Sequence, residues 1–294
     1  MSYVLSCCST ADLTREHFEA RDIRWLPFHY FVDGQEYADD LGQSMPYDKF
    51  YAAIAAGADT RTSQINAEEY LSFFLPILEA GQDIFHVCLS TGLSGTFNSA
   101  RIAADAAAER FPERRVVVVD SLAASGGFGL LMDTLADLRD GGMSLRELEA
   151  WFAENRCRMN HWFFTTDLST FIRGGRVSKT SGFVGTLLGI CPLLNVDAEG
   201  RLIPREKVRS KKKVIARIVE KMEELAENGT AYSGKCFITQ SACREDAEAV
   251  AALIREKFPN LQGEILINPI GTTIGSHTGP GTVALFFWGA ENRT

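Results

Sequence analysis

The sequence predicts an α/β protein of two domains, with a mostly parallel sheet in the first and a mixed sheet in the second. Two observations support this prediction. Short apolar runs at residues 84–89 and 116–119 alternate with helical segments up to about Asn155, a pattern typical of parallel strands that are buried on both faces. The 294 residues also exceed what one hydrophobic core usually organises, so we expect an N-terminal domain at 1–157 and a C-terminal domain at 158–294.

Start and stop signals divide the chain into short elements. The predicted strands, with a hairpin through Asp33-Gly34 between the second and third, are residues 3–7, 25–32, 35–37, 84–89, 116–119, 161–165, 187–196, 201–208, 235–240, 264–268 and 282–288. Five predicted helices span residues 47–56, 67–80, 96–110, 211–228 and 244–258. Three further helices are predicted to end near Arg21, Arg139 and Asn155. A polar loop is expected at residues 60–64, and a Gly/Thr loop is expected around His277.

Composition narrows the class of protein. A hydrophobic content of 46% and a charged content of 23% are ordinary for a folded soluble protein. The formal net charge of -8 argues against a nucleic-acid-binding chain, because such proteins present basic surfaces. Seven scattered cysteines without zinc-ligand spacing fit reduced thiols. No signal-peptide pattern is visible at the N-terminus, so we expect a cytoplasmic protein.

One segment has the length of a membrane span but not its pattern. Residues 265–290 contain no Asp, Glu, Lys or Arg, and length alone would allow them to cross a bilayer. Asn268-Pro269, Gly271 and the run Gly279-Pro280-Gly281 interrupt the segment. We therefore interpret it as two buried strands around a loop, and we expect no transmembrane segment.

The stretch from Ser90 to Ser99 is the strongest candidate for a binding site. It is rich in Gly, Ser and Thr and lies between a predicted buried strand and a predicted helix. Helix-start N–H groups lack intrahelical partners and carry the positive end of the helix dipole, so they can bind a phosphate or a carboxylate. The hydroxyl groups of Ser90, Thr91, Ser94 and Thr96 could add donors. The simpler alternative is that Ser94 or Thr96 only caps the helix.

A serine hydrolase of acyl esters is a second hypothesis for the same stretch. Ser94 would be the nucleophile, and His277, in a loop of backbone-permissive residues, would be the base. The nucleophile elbow G-x-S-x-G is incomplete, since Thr96 stands where the second Gly belongs. No Asp or Glu stands out in the sequence as the residue that would orient His277.

Other chemistries find little support in the sequence. A nucleotide site is not supported, because the sequence has no G-x-x-x-x-G-K-[ST] and no G-x-G-x-x-G after the first strand. A metal site is not supported either, because the five histidines are dispersed and there is no H-E-x-x-H. The densest basic run extends from Arg201 to Arg217 and is either a solvated hairpin and helix start or a docking surface for an acidic partner or phosphate groups. A DNA regulator that uses this run is a third class, disfavoured by the acidic remainder of the chain.

Six motifs in order resemble the DegV family over essentially the whole chain. They are Thr62-Ser63-Gln64, Leu93-Ser94-Gly95-Thr96-Phe97, Asp120-Ser121, Gly174-Gly175-Arg176-Val177, Lys207-Val208-Arg209 and Ile274-Gly275-Ser276-His277-Thr278-Gly279-Pro280-Gly281. The resemblance implies a DegV-like fold of two α/β domains with one long-chain fatty acid in a tunnel between them. It further implies a carrier that is not itself an enzyme and needs no cofactor or metal.

In bacterial fatty acid kinase systems, a protein of this kind presents the acyl carboxylate to a separate ATP-dependent kinase subunit. The acyl phosphate then enters phospholipid synthesis, which allows transient contact with a membrane surface; no nucleic-acid partner is implied. By motif, Thr62 and Ser94 would bind the carboxylate beside His277, with Gly95 and Thr96 at the helix start. Arg176 and Arg209 would lie near the exposed head group or the kinase-docking surface. Candidate residues for the tunnel wall are Phe163, Phe164, Phe183, Leu187, Leu188 and Ile190.

Three positions depart from the family pattern. Cys8 stands where the family has the first Asp of Asp-Ser-Thr-Ala-Asp, and Cys191 replaces the Lys of a Lys-Pro pair. Arg173 replaces a Lys before Gly-Gly-Arg and keeps the charge. Each of the two cysteines therefore replaces a charged side chain of the family pattern with a thiol.

Overall fold

Three β-sheets and their flanking helices make up the fold of this computed structural model, which describes residues 3–178 and 189–294. The strands in these ranges are β1 Tyr3–Cys8, β2 Ile23–Leu26, β3 His29–Val32, β4 Gln35–Ala38, β5 Thr60–Ser63, β6 Asp83–Cys88, β7 Val116–Asp120, β8 Met159–Thr165, β9 Ile190–Val196, β10 Leu202–Arg209, β11 Phe237–Gln240, β12 Leu266–Pro269 and β13 Thr282–Trp288. The α-helices are α1 Arg15–Ala20, α2 Tyr47–Ala55, α3 Ala67–Glu79, α4 Thr96–Arg110, α5 Ser125–Asp140, α6 Leu145–Asn155, α7 Ser169–Arg173, α8 Lys211–Leu225, α9 Arg244–Lys257 and α10 Thr272–Thr278.

The first sheet is parallel, as the sequence predicts. Its strand order is β2-β1-β6-β7, and every pair in it is parallel. The central strands β1 and β6 are buried almost throughout, because helices cover both faces of the sheet. At the carboxyl end of β6 the chain turns into α4, so the stretch around Ser94 lies at the edge of the sheet where parallel α/β proteins bind ligands.

The predicted strand at residues 25–32 is two strands in two sheets. β2 ends at Leu26, Pro27 intervenes, and β3 then forms the centre of an antiparallel sheet of order β4-β3-β5. The predicted hairpin between β3 and β4 is confirmed, with Asp33 and Gly34 both at positive φ, +49° and +85°. This backbone matches the tight turns that join twisted antiparallel strands.

The polar loop predicted at residues 60–64 was wrong, because residues 60–63 form the edge strand β5. β5 pairs with β3 in antiparallel register, with Thr62 opposite Tyr30. Its sequence, Thr-Arg-Thr-Ser, carries no apolar residue. An edge strand of this kind is held by its backbone ladder and leaves no hydrophobic pattern in the sequence.

The second large sheet is mixed, in agreement with the prediction. Its order is β10-β9-β8-β13-β11-β12, with β11 and β12 parallel and the other pairs antiparallel. A turn at Asp197–Gly200, closed by a hydrogen bond from the Asp197 N–H to the Arg201 carbonyl at 2.9 Å, joins β9 to β10. α8 and α9 cover one face of this sheet and enclose an apolar cluster with Phe164 and Leu285.

Helix α5 occupies the place where the two large sheets meet. Eleven of its residues are buried, and it contacts strands of both sheets. Gly126 and Gly127 allow this close approach, since a Cβ on either residue would come within 3 Å of Phe286. One apolar cluster therefore contains side chains from before and after residue 157, and the division at 157/158 stays a prediction.

The segment around His277 contains a helix rather than the predicted loop. α10 spans Thr272–Thr278 between β12 and β13. Two buried carboxylates from the first half of the chain bind its start. Asp12 accepts from the N–H of Gly271 at 3.0 Å, and Asp39 accepts from the Thr272 hydroxyl at 2.9 Å and the Thr273 N–H at 3.3 Å. These caps come from distant parts of the sequence, so local pattern could not indicate them.

Candidate functional site

A cavity of about 330 Å³ lies between the parallel sheet, the mixed sheet and α10. Its wall is mainly apolar and includes the side chains of Phe28, Phe163, Phe171, Ile270, Ile274 and Phe286. At one place in the wall five of the predicted site residues come together: Thr62, Ser94, Gly95, Arg176 and His277. Such an apolar cavity with a few convergent polar groups is typical of a small-molecule site.

Thr62 and His277 form a direct hydrogen bond, although they lie 215 residues apart in sequence. The Thr62 Oγ1 atom lies 2.8 Å from Nε2 of His277. β5 positions Thr62, and α10 positions His277. A second bond between the same two elements, from the Thr60 hydroxyl to the Ser276 carbonyl at 3.1 Å, sets their relative position.

The imidazole of His277 is neutral at physiological pH. Burial, with a smaller contribution from the charge of Arg176, lowers the pKa of His277 to about 3. Its Nδ1 atom has no hydrogen-bond partner among the described residues. A Cβ at Gly174 would lie 2.4 Å from this Nδ1, so the Gly-Gly-Arg motif packs directly against the imidazole and needs glycine there.

Arg176 brings a positive charge to the same end of the cavity. Its Nε and Nη2 atoms donate to the Leu93 carbonyl at 3.3 and 3.2 Å, and its Nη1 donates to the Gly174 carbonyl at 2.6 Å. Within the described ranges these carbonyls are its partners, and no carboxylate neutralises it. Burial lowers the pKa of Arg176, which reflects a desolvated cation without a counter-ion.

Of the four hydroxyl groups predicted as donors, only that of Ser94 lies on the cavity wall. Ser90 donates to the Gly200 carbonyl at 2.8 Å, and Thr91 donates to Asp120. Ser94 Oγ accepts from the Thr96 N–H at 3.3 Å, so it caps the start of α4. Its hydroxyl hydrogen stays available to a ligand, which makes capping and binding compatible.

Two predicted site residues lie outside the cavity wall. Thr96 is fully buried beneath the start of α4, and its Oγ1 lies 2.8 Å from the Tyr70 hydroxyl, so it has a structural contact instead. Arg209 is exposed at the end of β10, where it pairs with Ile190. Thr96 therefore supports the helix start from beneath, whereas the place of Arg209 near the head group or the kinase-docking surface stays a prediction.

Only one of the predicted tunnel residues lies on the cavity wall formed by the described residues. Phe163 lines the cavity, whereas Phe164 points to the opposite face of β8 and packs with α8 and α9, because side chains alternate along a strand. Ile190 is not part of the wall formed by described residues. Phe183, Leu187 and Leu188 lie outside the described residues. Sequence reasoning missed the remaining apolar wall residues, since they come from separate elements and share no local pattern.

The geometry does not join Ser94 to His277 as a nucleophile and base. Nε2 of His277 bonds Thr62, and no carboxylate orients its Nδ1 within the described ranges. A serine hydrolase requires both contacts.

In the ranges 3–178 and 189–294, no group of three or more His, Cys, Asp or Glu could hold a metal ion. No helix there is long and apolar enough to cross a membrane.

Known proteins similar to this chain share its fold and its length. A DegV domain-containing protein of Clostridium perfringens is 36% identical over 287 residues, covering 98% of this chain and 97% of that protein. A fatty acid-binding protein of Thermotoga maritima is 31% identical and covers 94% of this chain and 93% of that protein. The solved structure of a fatty-acid-binding DegV family protein from Thermus thermophilus matches with a TM-score of 0.86 at 27% identity, covering 98% of this chain and all of that one.

The family model agrees with these relatives. It is the model of the DegV family of uncharacterised proteins, and it matches residues 8–289. This range includes every described strand except β1, of which it contains Cys8 alone, and every residue at the polar end of the cavity. The chain therefore belongs to the DegV family.

Proposed function

We propose that this protein binds one long-chain fatty acid, with the acyl chain in the apolar cavity and the carboxylate at Thr62, Ser94, Arg176 and His277. The desolvated guanidinium of Arg176, unpaired by any carboxylate of the described residues, is the observation that carries this proposal. Arg176 is half-buried, and a cation that is partly removed from water with no carboxylate partner among the described residues is costly. A carboxylate ligand would relieve that cost through charge-assisted hydrogen bonds.

The neighbouring side chains complete a carboxylate site. With its proton on Nε2, neutral His277 donates to Thr62 Oγ1, and the Thr62 hydroxyl hydrogen is then free to point at the ligand. Ser94 offers a second hydroxyl hydrogen from the start of α4. For the acyl chain, transfer from water to the apolar wall contributes about 0.8 kcal/mol per CH₂ group. Fatty-acid binding by the Thermotoga and Thermus relatives supports this assignment.

Exchanging the guanidinium for an amide tests the carboxylate site. Arg176→Gln should weaken fatty acid binding about tenfold or more, as expected for loss of a charge-assisted hydrogen bond. Arg173→Gln is the matched control, because it removes the same positive charge from an exposed arginine three positions earlier in the sequence. Affinities for stearate are measured by titration calorimetry, and copurified lipid is identified by native mass spectrometry.

The corresponding fatty alcohol separates a binding role of Arg176 from a structural one. It lacks the carboxylate, so the wild-type protein should prefer stearate over stearyl alcohol, and Arg176→Gln should lose that preference. A general loosening of the cavity would weaken both ligands equally. If the wild-type protein retains neither lipid after supplementation, the proposed function is wrong.

We further propose that the protein presents the bound carboxylate to a separate ATP-dependent kinase subunit in the cytoplasm. Gly95 and Gln64 line the polar end of the cavity and are exposed, so the head group would be near the surface while the chain is enclosed. The sequence itself carries neither nucleotide-binding glycine motif.

Trapping with hydroxylamine tests this partnership, because hydroxylamine converts an acyl phosphate into a stable hydroxamate. The loaded protein with Mg·ATP alone should yield no hydroxamate, and addition of the kinase subunit from the same organism should yield it. Hydroxamate formation without the kinase subunit would make the protein an enzyme in its own right. No hydroxamate in either mixture would leave a fatty-acid-binding protein without the proposed transfer.

A further inference from the structure

Gln64 ends the motif Thr62-Ser63-Gln64, and the proposed carboxylate site gives its side chain no role. It follows directly after β5, the strand that carries Thr62. Gln64 lines the polar end of the cavity together with Ser94 and Gly95, and it is exposed. A head group bound at this end of the cavity would therefore meet the side-chain amide of Gln64.

The amide of Gln64 connects the small sheet with the start of α4. Its Nε2 atom donates to the hydroxyl of Ser99 on α4 at 3.2 Å. Its Oε1 atom lies against Gly95, where an added Cβ would come within 2.7 Å of it. Because Gly95 has no side chain, the amide can lie next to the residue that follows Ser94, whose hydroxyl the proposed site uses.

This orientation of the amide does not suit a carboxylate ligand. The oxygen of the amide is on the Gly95 side, where the proposed carboxylate would bind. An amide oxygen and an ionised carboxylate both accept hydrogen bonds and donate none, so the two groups would repel each other at short range. The N–H group of the same amide would instead stabilise the carboxylate.

Reversal of the amide needs a half-turn about the last side-chain bond of Gln64, a torsion that is broad and roughly two-fold in glutamine. Within residues 3–178 and 189–294, Gln64 is the only hydrogen-bond partner of the Ser99 hydroxyl. A serine hydroxyl can donate as well as accept. Ser99 would therefore keep one hydrogen bond to the amide in either orientation.

We propose that Gln64 is a specificity-determining residue for the head group: its side-chain amide reverses when a fatty acid binds, and Nε2 then donates to the carboxylate. Ser99 is the positioning residue that holds the amide in both orientations. This inference rests on the proposed function, since a carboxylate must occupy the polar end of the cavity. A lipid with a neutral head group that donates a hydrogen bond leaves the amide in its original orientation.

Calorimetric titration of stearate and stearyl alcohol into the wild-type protein and Gln64→Met tests this inference. Methionine keeps the length of the side chain and removes the amide. We expect Gln64→Met to bind stearate about fivefold more weakly, as for loss of one hydrogen bond to a charged group that water still reaches, and to bind stearyl alcohol no more than about twofold more weakly.

Gln64→Glu provides a second variant of nearly the same shape. It should weaken stearate binding about tenfold or more, because a negatively charged acceptor replaces the donor beside the carboxylate. Gln262→Met and Gln262→Glu are the matched controls, because Gln262 is exposed and lies outside the cavity wall. Both controls should bind stearate with the wild-type affinity.

A double-mutant cycle tests the role of Ser99. Ser99→Ala should weaken stearate binding in the wild-type background and should have no further effect in Gln64→Met, because Ser99 acts through the amide. If Ser99→Ala weakens stearate binding equally in both backgrounds, Ser99 acts independently of Gln64 and its positioning role is wrong.

The outcomes separate this inference from the proposed function. If Gln64→Met or Gln64→Glu binds stearate with the wild-type affinity, the inference is wrong and fatty acid binding stands. If Gln64→Met weakens stearate and stearyl alcohol equally, Gln64 acts by packing and the inference also fails. If the wild-type protein binds neither lipid, the proposed function fails, and this inference fails with it. Urea unfolding of each variant checks that the exposed position leaves the fold intact.

Discussion

At the scale of single residues, the fold assigns different roles to hydroxyl groups that the sequence presents as equivalent. Within the stretch from Ser90 to Ser99, the hydroxyls of Ser90, Thr91 and Thr96 bond other parts of the protein. Only Ser94 combines a place on the cavity wall with a hydroxyl hydrogen that α4 does not use. Of the four hydroxyl groups predicted as possible donors to an anion, three therefore have structural partners instead.

This division predicts different effects for two serine substitutions in the same loop. Ser94→Ala should weaken stearate binding by about 1–3 kcal/mol, the cost of leaving a buried charged group short of a donor, and should lower the free energy of unfolding by no more than the ~0.5–2 kcal/mol of a lost helix cap. Ser90→Ala should instead lower the free energy of unfolding, because the buried Gly200 carbonyl loses its donor at 2.8 Å. Calorimetric titration and urea unfolding of both variants measure the two effects. Equal stearate affinity in Ser94→Ala and the wild-type protein would remove Ser94 from the site.

At the scale of elements, the short helix α10 links the two halves of the chain at the binding site. Asp12 and Asp39 cap its start, and Thr60 bonds the Ser276 carbonyl near its end. The Tyr51 hydroxyl donates to the Ile270 carbonyl at 2.8 Å just before the helix. A seven-residue helix is marginal alone, so these contacts decide both its existence and the position of His277.

Removing one of these contacts should loosen α10 and the site together. Tyr51→Phe should lower the free energy of unfolding by about 1 kcal/mol, the usual contribution of one buried hydrogen bond, and should weaken stearate binding. Tyr37→Phe is the control, because Tyr37 on β4 is only partly buried and packs against the same small apolar cluster as Tyr51. Urea unfolding and titration of both variants provide the comparison. Unchanged stearate affinity in a destabilised Tyr51→Phe protein would show that α10 is not a positioning element.

At the scale of the whole molecule, charge as well as apolar packing connects the two halves. Asp133 on α5 is 4% exposed and contacts His17 of α1, Arg21 directly after that helix and Lys235 before β11. Burial by itself would raise the pKa of Asp133, but the hydrogen bonds from His17 and Lys235 outweigh it and lower the pKa to about 2. Asp133 is therefore ionised at neutral pH, and its contacts tie residues before and after 157 around α5.

The sequence by itself determined the α/β class, the parallel first sheet, the mixed second sheet and the start of α4. These follow from local causes: buried valines and apolar runs form strands, Asp33-Gly34 forms a tight turn, and the segment after Gly95 begins a helix. The motifs around Thr62, Ser94, Arg176 and His277 also indicated the polar end of the site before any geometry was known.

The tertiary structure alone decided how those motifs meet. β5 has no apolar pattern and exists because β3 pairs with it, and α10 exists because carboxylates more than 200 residues away cap its start. The same long-range packing left Thr96 and Arg209 outside the cavity and brought His161 into its wall. Local pattern records which face of an element is buried, but not which distant element covers it. For that reason the sequence motifs name the polar residues that meet at one end of the cavity, whereas most of the apolar wall residues could not be named from the sequence.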